Sequence, residues 1–89
     1  MIISGTLKDS LNNNLSYCEI YFQSLDSGDS VGSNMSFRTS DSGFYSETIL
    51  YGSYKIFIRY RDSRNYYLLK DAVTIDDLTP NQALNDLIL

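Results

Sequence analysis

Zero His and a single Cys among 89 residues remove most of the chemistry that side-chain pairs usually support. A Ser-His-Asp triad, a Cys-His nucleophile pair, a Cys/His zinc site and an intrachain disulfide are all excluded on this chain alone. Two carboxylates could serve glycosyl transfer only if a cleft raised the pKa of one of them, and no spacing fixes such a pair. The acids of Asp26-Ser27-Gly28-Asp29 invite calcium, yet the alternating oxygen ligands of an EF-hand loop, closed by a bidentate Glu, are missing. No metal or cofactor is therefore expected, and the chain reads as a non-enzyme. What remains is a window rich in recognition chemistry. Lys55, Arg59, Arg61, Arg64 and Lys70 lie against one acid, Asp62, so that this window carries +4 while the whole chain carries −4. Tyr60, Tyr66 and Tyr67 sit among these cations. Arg and Tyr concentrate binding energy at protein interfaces, which makes Arg59, Arg61, Tyr66 and Tyr67 the candidate partner-binding residues. The competing reading is a solvated hairpin whose Arg stems cover Tyr rings. The overall acidity disfavours nucleic acid, which needs basic surface to displace counterions from phosphates.

The elements that must position these residues are strands. Period-2 alternation recurs in short blocks separated by Ser, Asp, Asn and Gly, and helical periodicity is absent before residue 80. Ile3 to Leu7 alternates and runs into an Asn-rich turn at 12–14. Next, Cys18, Ile20 and Phe22 share one face, and Tyr17, Glu19, Tyr21 and Gln23 the other, which makes Cys18 a buried small hydrophobe rather than a reactive thiolate. The stretch 26–33 reads as an exposed mobile loop. Met35, Phe37 and Thr39 alternate up to Asp41-Ser42-Gly43, whose Asp and Gly supply the chemistry of a tight hairpin. Phe44 to Leu50 forms a strand too evenly mixed to orient. Gly52 is read as a break, after which Tyr54, Ile56, Ile58 and Tyr60 alternate with Lys55, Phe57, Arg59 and Arg61, the clearest strand of all. Alternation exposes Tyr21 and Phe57, which completes the candidate partner-binding set. One or two further strands follow Asp62-Ser63-Arg64-Asn65, interrupted at Lys70-Asp71. Thr79 and Pro80 are placed as N-cap and first residue of a helix of about eight to ten residues carrying Ala83, Leu84, Leu87 and Ile88.

Six or seven short strands at this spacing predict an all-β, immunoglobulin-like or transthyretin-like antiparallel sandwich occupying 1–89 as one domain, with a short C-terminal helix. Length and a 43% hydrophobic, 20% charged composition agree with one modest core. No apolar run reaches the roughly 18 residues of a spanning helix, and no signal-peptide pattern is readable, so no membrane insertion is expected.

Composition and spacing stop at a soluble β domain. A family resemblance goes further. Ile3-Ser4-Gly5-Thr6-Leu7-Lys8-Asp9, then Leu15 and Cys18, then Thr39 to Ser46, Tyr51-Gly52-Ser53-Tyr54 and Leu84-Asn85-Asp86-Leu87 together resemble the N-terminal domain of prophage tail fibres, nearly end to end. The Asp-Gly-Tyr and Gly-x-Tyr parts are shared with the wider transthyretin-like and carboxypeptidase-regulatory-like sandwiches and speak to fold more than function. Asn14 departs from the family, which has Pro there. The resemblance implies a structural part of a bacteriophage virion, made in the cytoplasm of the bacterial host, that anchors a tail fibre to a tail-tip or baseplate protein. It also implies a trimer in the intact fibre, with Tyr21 and Phe57 the residues best placed for burial between copies, and a host-binding shaft outside these residues. An alternative of a different class is a carbohydrate-binding or adhesive sandwich, whose Tyr rings stack on sugars and whose 26–33 loop closes over them.

Overall fold

A computed structural model describes residues 1–25 and 34–89; the expected mobile loop and its calcium reading fall at 26–33, outside the described residues. The described residues form six strands and one short helix. These are β1 (Ile2–Thr6), β2 (Glu19–Ser24), β3 (Met35–Arg38), β4 (Phe44–Thr48), β5 (Gly52–Arg59), β6 (Tyr67–Ile75) and α1 (Leu84–Leu87). Strands β1 and β4 make one antiparallel sheet, and β3-β2-β5-β6 make the other, also antiparallel throughout. The chain is an all-β sandwich.

Alternation decides what each strand buries, because successive side chains leave a strand on opposite sides. Ile20 and Phe22 of β2, Phe37 of β3 and Tyr54, Ile56 and Ile58 of β5 face inward, where Ile3, Tyr45 and Ile49 meet them from the other layer. The Phe22 ring lies edge-on to Tyr54 at 5.6 Å, and Phe37 meets Tyr45 across the layers at 5.9 Å. Each such large side chain, once fully buried, contributes about 1.5–3 kcal/mol. Cys18 is buried as expected, and removal from water pushes its thiol pKa up, the reverse of what a nucleophile needs. Beside it, Thr39 is a buried hydroxyl with both roles filled: it accepts from the Cys18 N–H at 2.9 Å and donates to the Leu15 carbonyl at 2.7 Å.

Two expectations change. The Asp41-Ser42-Gly43 turn does not close a hairpin, since β3 pairs with β2 and β4 with β1; the turn carries the chain from one sheet to the other. Its Gly is still required. Gly43 sits at φ +83°, and a Cβ there would lie 2.9 Å from the Leu7 carbonyl oxygen. Gly52 is the first residue of β5, so the expected break falls at 49–51, between β4 and β5. Of the one or two strands expected after residue 65 there is one, β6, whose two register shifts against β5 fall around Lys70.

The helix is also shorter than its periodicity suggests. Thr79 is diverted: its hydroxyl accepts from the Asp76 N–H at 3.0 Å and closes a turn with that residue, so it caps no helix. Residues 81 and 82 instead run beside β1, where Gln82 bridges Ile3 in parallel. Only Leu84–Leu87 is helical, and its cap position, Ala83, offers no side-chain bond. The Tyr45 hydroxyl substitutes, accepting from the Leu84 N–H at 2.7 Å inside the core. A Cβ on Gly5 would come within 3.2 Å of that hydroxyl, so Gly5, Tyr45 and Leu84 form one joint that fastens the C-terminal segment. Leu84 and Leu87 then bury against the sandwich.

Candidate functional site

The outward face of the four-stranded sheet gathers most of the candidate residues. Along the seam between β2 and β5 the register opposes Gln23 to Lys55, Tyr21 to Phe57 and Glu19 to Arg59. Carrying that register two residues further brings Tyr17 to Arg61, whose guanidinium carbon stands 5.0 Å from the Tyr17 ring centre. Arg38 of β3 flanks Glu19 on one side, and Leu68 of β6 flanks Phe57 on the other. Opposed pairs of this kind are the unit by which a sheet is stabilised, and here Tyr21–Phe57 is aromatic and Glu19–Arg59 oppositely charged.

Glu19 is the centre of the polar half. Arg59 donates to its Oε1 from Nε at 3.1 Å and from Nη2 at 2.6 Å, while the Tyr66 hydroxyl donates to Oε2 at 2.9 Å. The guanidinium also lies 5.3 Å from the Tyr66 ring centre. Partial burial works to raise the Glu19 pKa, but the bonds from Arg59 and Tyr66 and the charges of Arg59 and Arg38 outweigh it and hold the carboxyl below its usual range. Bonding to the same carboxylate raises Arg59 and Tyr66 above theirs. All three ionisable groups are thus fixed in their neutral-pH forms.

The apolar half is built from Tyr21, Phe57 and Tyr66. Tyr21 contacts Phe57 at 6.1 Å and Tyr66 at 5.7 Å, both tilted, and with Gln23 these rings line an open depression of about 340 Å³. Tyr66 is 45% and Leu68 52% exposed. The depression is apolar within and has the Glu19–Arg59 pair beside it.

Five of the six candidates therefore share one face: Arg59, Tyr66, Tyr21 and Phe57 as a contiguous cluster, and Arg61 one pair along. Tyr67 does not join them. It pairs with Ile58, an inward residue, and its ring packs on Tyr60 at 5.7 Å on the other side of the sheet. Tyr66 and Tyr67 are neighbours in sequence and so leave the strand on opposite sides. Reading the basic window as one patch missed this, and missed Glu19, Gln23 and Arg38. The signal was present, because alternation puts Glu19 and Gln23 on the Tyr21 face.

Among the described residues, no group of three or more His, Cys, Asp or Glu is placed to hold a metal ion, and no helix is long and apolar enough to cross a membrane. Comparison with family models and with curated proteins finds no match to this chain. The tail-fibre resemblance consequently rests on its motif residues. Several of these occupy structural joints: Gly5, Gly43, Tyr45 and Leu84.

Proposed function

We propose that the chain is a non-enzymatic docking module whose outward sheet face, centred on Tyr21, Phe57, Tyr66 and the Glu19–Arg59 pair, binds another protein. The observation that carries this reading is the pairing of an exposed aromatic depression with a rim already ordered by hydrogen bonds. Side chains held in place before binding lose less entropy on association, and Tyr and Arg are the residue types that dominate interface energetics. Fixed ionisation argues against catalysis here. A general acid or base works best with a pKa near the working pH, whereas the Glu19 carboxyl is moved down and the Arg59 and Tyr66 groups up.

The resemblance to prophage tail-fibre N-terminal domains supplies the partner: a phage tail-tip or baseplate protein, with the chain acting as the anchor of a fibre in the virion. The test is Tyr21→Ser with Phe57→Ser in the intact fibre, followed by quantitative mass spectrometry of fibre copies per purified particle. Loss of fibre from particles with unaltered folding is the expected result, and full incorporation overturns the reading. The same depression favours a second reading, since three tilted rings beside the Gln23 amide suit stacking on a sugar. A glycan array on the purified chain decides it, through saturable binding that the two serine substitutions abolish.

A further inference from the structure

The four sheet edges are not equally protected. An edge strand presents unpaired N–H and C=O groups, and folded proteins blunt it by shortness, charge, bulges or a covering segment. Strand β3 has four residues and ends in Arg38. The β6 edge is broken by its register shifts and carries Lys70 and Asp71. The free side of β1 is covered: Ser4 N–H donates to the Gln82 carbonyl and Gln82 N–H to the Ile2 carbonyl, both at 3.2 Å, and Ile2 N–H donates to Asn81 Oδ1 at 2.8 Å.

Among the described residues, strand β4 is the least blunted: it has five residues, no register shift and no covering segment. It pairs with β1 without a shift, and it continues into Ile49-Leu50-Tyr51 with Glu47 as its one charge. Ile49 and Met1 exchange backbone hydrogen bonds, at 2.7 Å from the Ile49 N–H and 3.2 Å from the terminal amine. Odd-numbered residues of β4 therefore bond to β1, and the backbone groups of Phe44, Ser46 and Thr48 point the other way. Phe44 is already served: its N–H donates to Ser40 Oγ at 3.1 Å and its carbonyl accepts from the Ser40 N–H at 2.9 Å. Ser46 and Thr48 have no such partner among the described residues.

We infer that this edge pairs antiparallel with the same edge of a second copy, about a two-fold axis at Thr48. Three registers bring the free groups together, and the residues choose between them. Centring on Ser46 would need the Phe44 groups, which the Ser40 turn occupies. Centring on Glu47 would set two carboxylates directly opposite each other, which destabilises a pair. Centring on Thr48 places Glu47 opposite Ile49 and Ser46 opposite Leu50 of the second copy; the Leu50 N–H has no partner among the described residues, and its carbonyl, which already accepts from the Tyr54 hydroxyl at 2.8 Å, has a second lone pair to offer. Because Ile2 already opposes Thr48, the outer surface then carries the row Ile2, Thr48, Thr48, Ile2, all β-branched. Ile2 and Leu50, now 42% and 58% exposed, gain neighbours. Two marginal two-stranded ribbons become one four-stranded sheet. A second copy fits better than a foreign strand because the surface is self-complementary, as a two-fold interface requires. This inference is independent of the outward-face docking reading, and it departs from the trimer that the tail-fibre resemblance implies, since the two-fold pairing joins two copies.

The test is sedimentation equilibrium of the whole chain over a wide concentration range, joined to cross-linking. The expected species is a dimer that Ser46→Pro and Thr48→Lys each convert to monomer. Pro at residue 46 leaves the β1 ladder intact, because that N–H faces outward. Lys at residue 48 puts two like charges on the axis. Under mild oxidation Thr48→Cys gives a disulfide dimer and Ser46→Cys does not, since opposed residues of a bonded antiparallel pair stand about 5.5 Å apart at Cα, within disulfide reach. The native Cys18 is buried and does not compete. A monomer at every concentration, a trimer, or a dimer indifferent to both edge substitutions overturns the inference.

Discussion

Strands β2 and β5 carry two faces that differ in sequence by a single step and in physics by much more. On the inward side, Ile20, Phe22, Ile56 and Ile58 are within 3% of full burial, and close packing holds them. On the outward side their chain neighbours Glu19, Tyr21, Phe57 and Arg59 are half-buried, and directed contacts hold them: a doubly donated ion pair, a phenol hydrogen bond and tilted rings. The inward face is ordered by the absence of any alternative to contact. The outward face is ordered although water is available, and order of that kind on a surface prepares it for a partner.

The largest effect belongs to the inward face. Phe22→Ala should cost about 3–5 kcal/mol, read as a lowered urea midpoint, because the deleted ring leaves a cavity against Tyr54 and Phe37. Partner binding should be lost only as far as the fold is lost. A smaller effect is expected at the joint between layers. Tyr45→Phe removes the acceptor for the buried Leu84 N–H and should cost about 1–3 kcal/mol, with faster amide exchange confined to residues 82–88. On the outward face, Tyr21→Ser should change stability by under about 1 kcal/mol while weakening partner binding strongly, so stability and binding separate there and nowhere in the core.

The smallest effect sharpens the comparison through pH. The Glu19 pKa is lowered in the folded chain relative to an unfolded value of about 4.3, so its contribution is present above that pH and disappears as pH falls through the folded value. Wild type and Glu19→Gln should thus differ in thermal midpoint at neutral pH and converge in acid. A difference that persists in acid would mean that shape rather than charge holds the rim.

How much of this was legible in the sequence follows from the range over which each signal acts. Tyr54, Ile56 and Ile58 alternate with polar and half-polar residues, and the strand they predict is β5. Strand β4 could not be oriented, because Phe44 and Leu50 are as apolar as Tyr45 and Ile49. Tyr45 is held inward by contacts that no local pattern shows: its ring meets Phe37, and its hydroxyl accepts from the N–H of Leu84, thirty-nine positions away. Asp-Ser-Gly chemistry serves a hairpin and a sheet-to-sheet arch alike, so the turn was readable and its destination was not. Thr79 carried a valid capping signal that Asp76 intercepted. At the candidate site the residue types were legible and their grouping only partly so. A basic window mixes both faces of a strand, which is why Tyr67 was counted with Tyr66. Glu19 drew no attention because an acid on a polar face has no local mark, and its partner Arg59 lies forty residues on.

The proposed docking surface is the Tyr21–Phe57–Tyr66 face. On the proposal that the chain anchors a tail fibre, the decisive measurement is the number of fibre copies on purified phage particles carrying Tyr21→Ser with Phe57→Ser, taken alongside the unfolding midpoint of the same chain. The expected result is a midpoint close to wild type and incorporation reduced by at least about tenfold, the loss of a hot spot worth about 2 kcal/mol. Wild-type incorporation at an unchanged midpoint would contradict it.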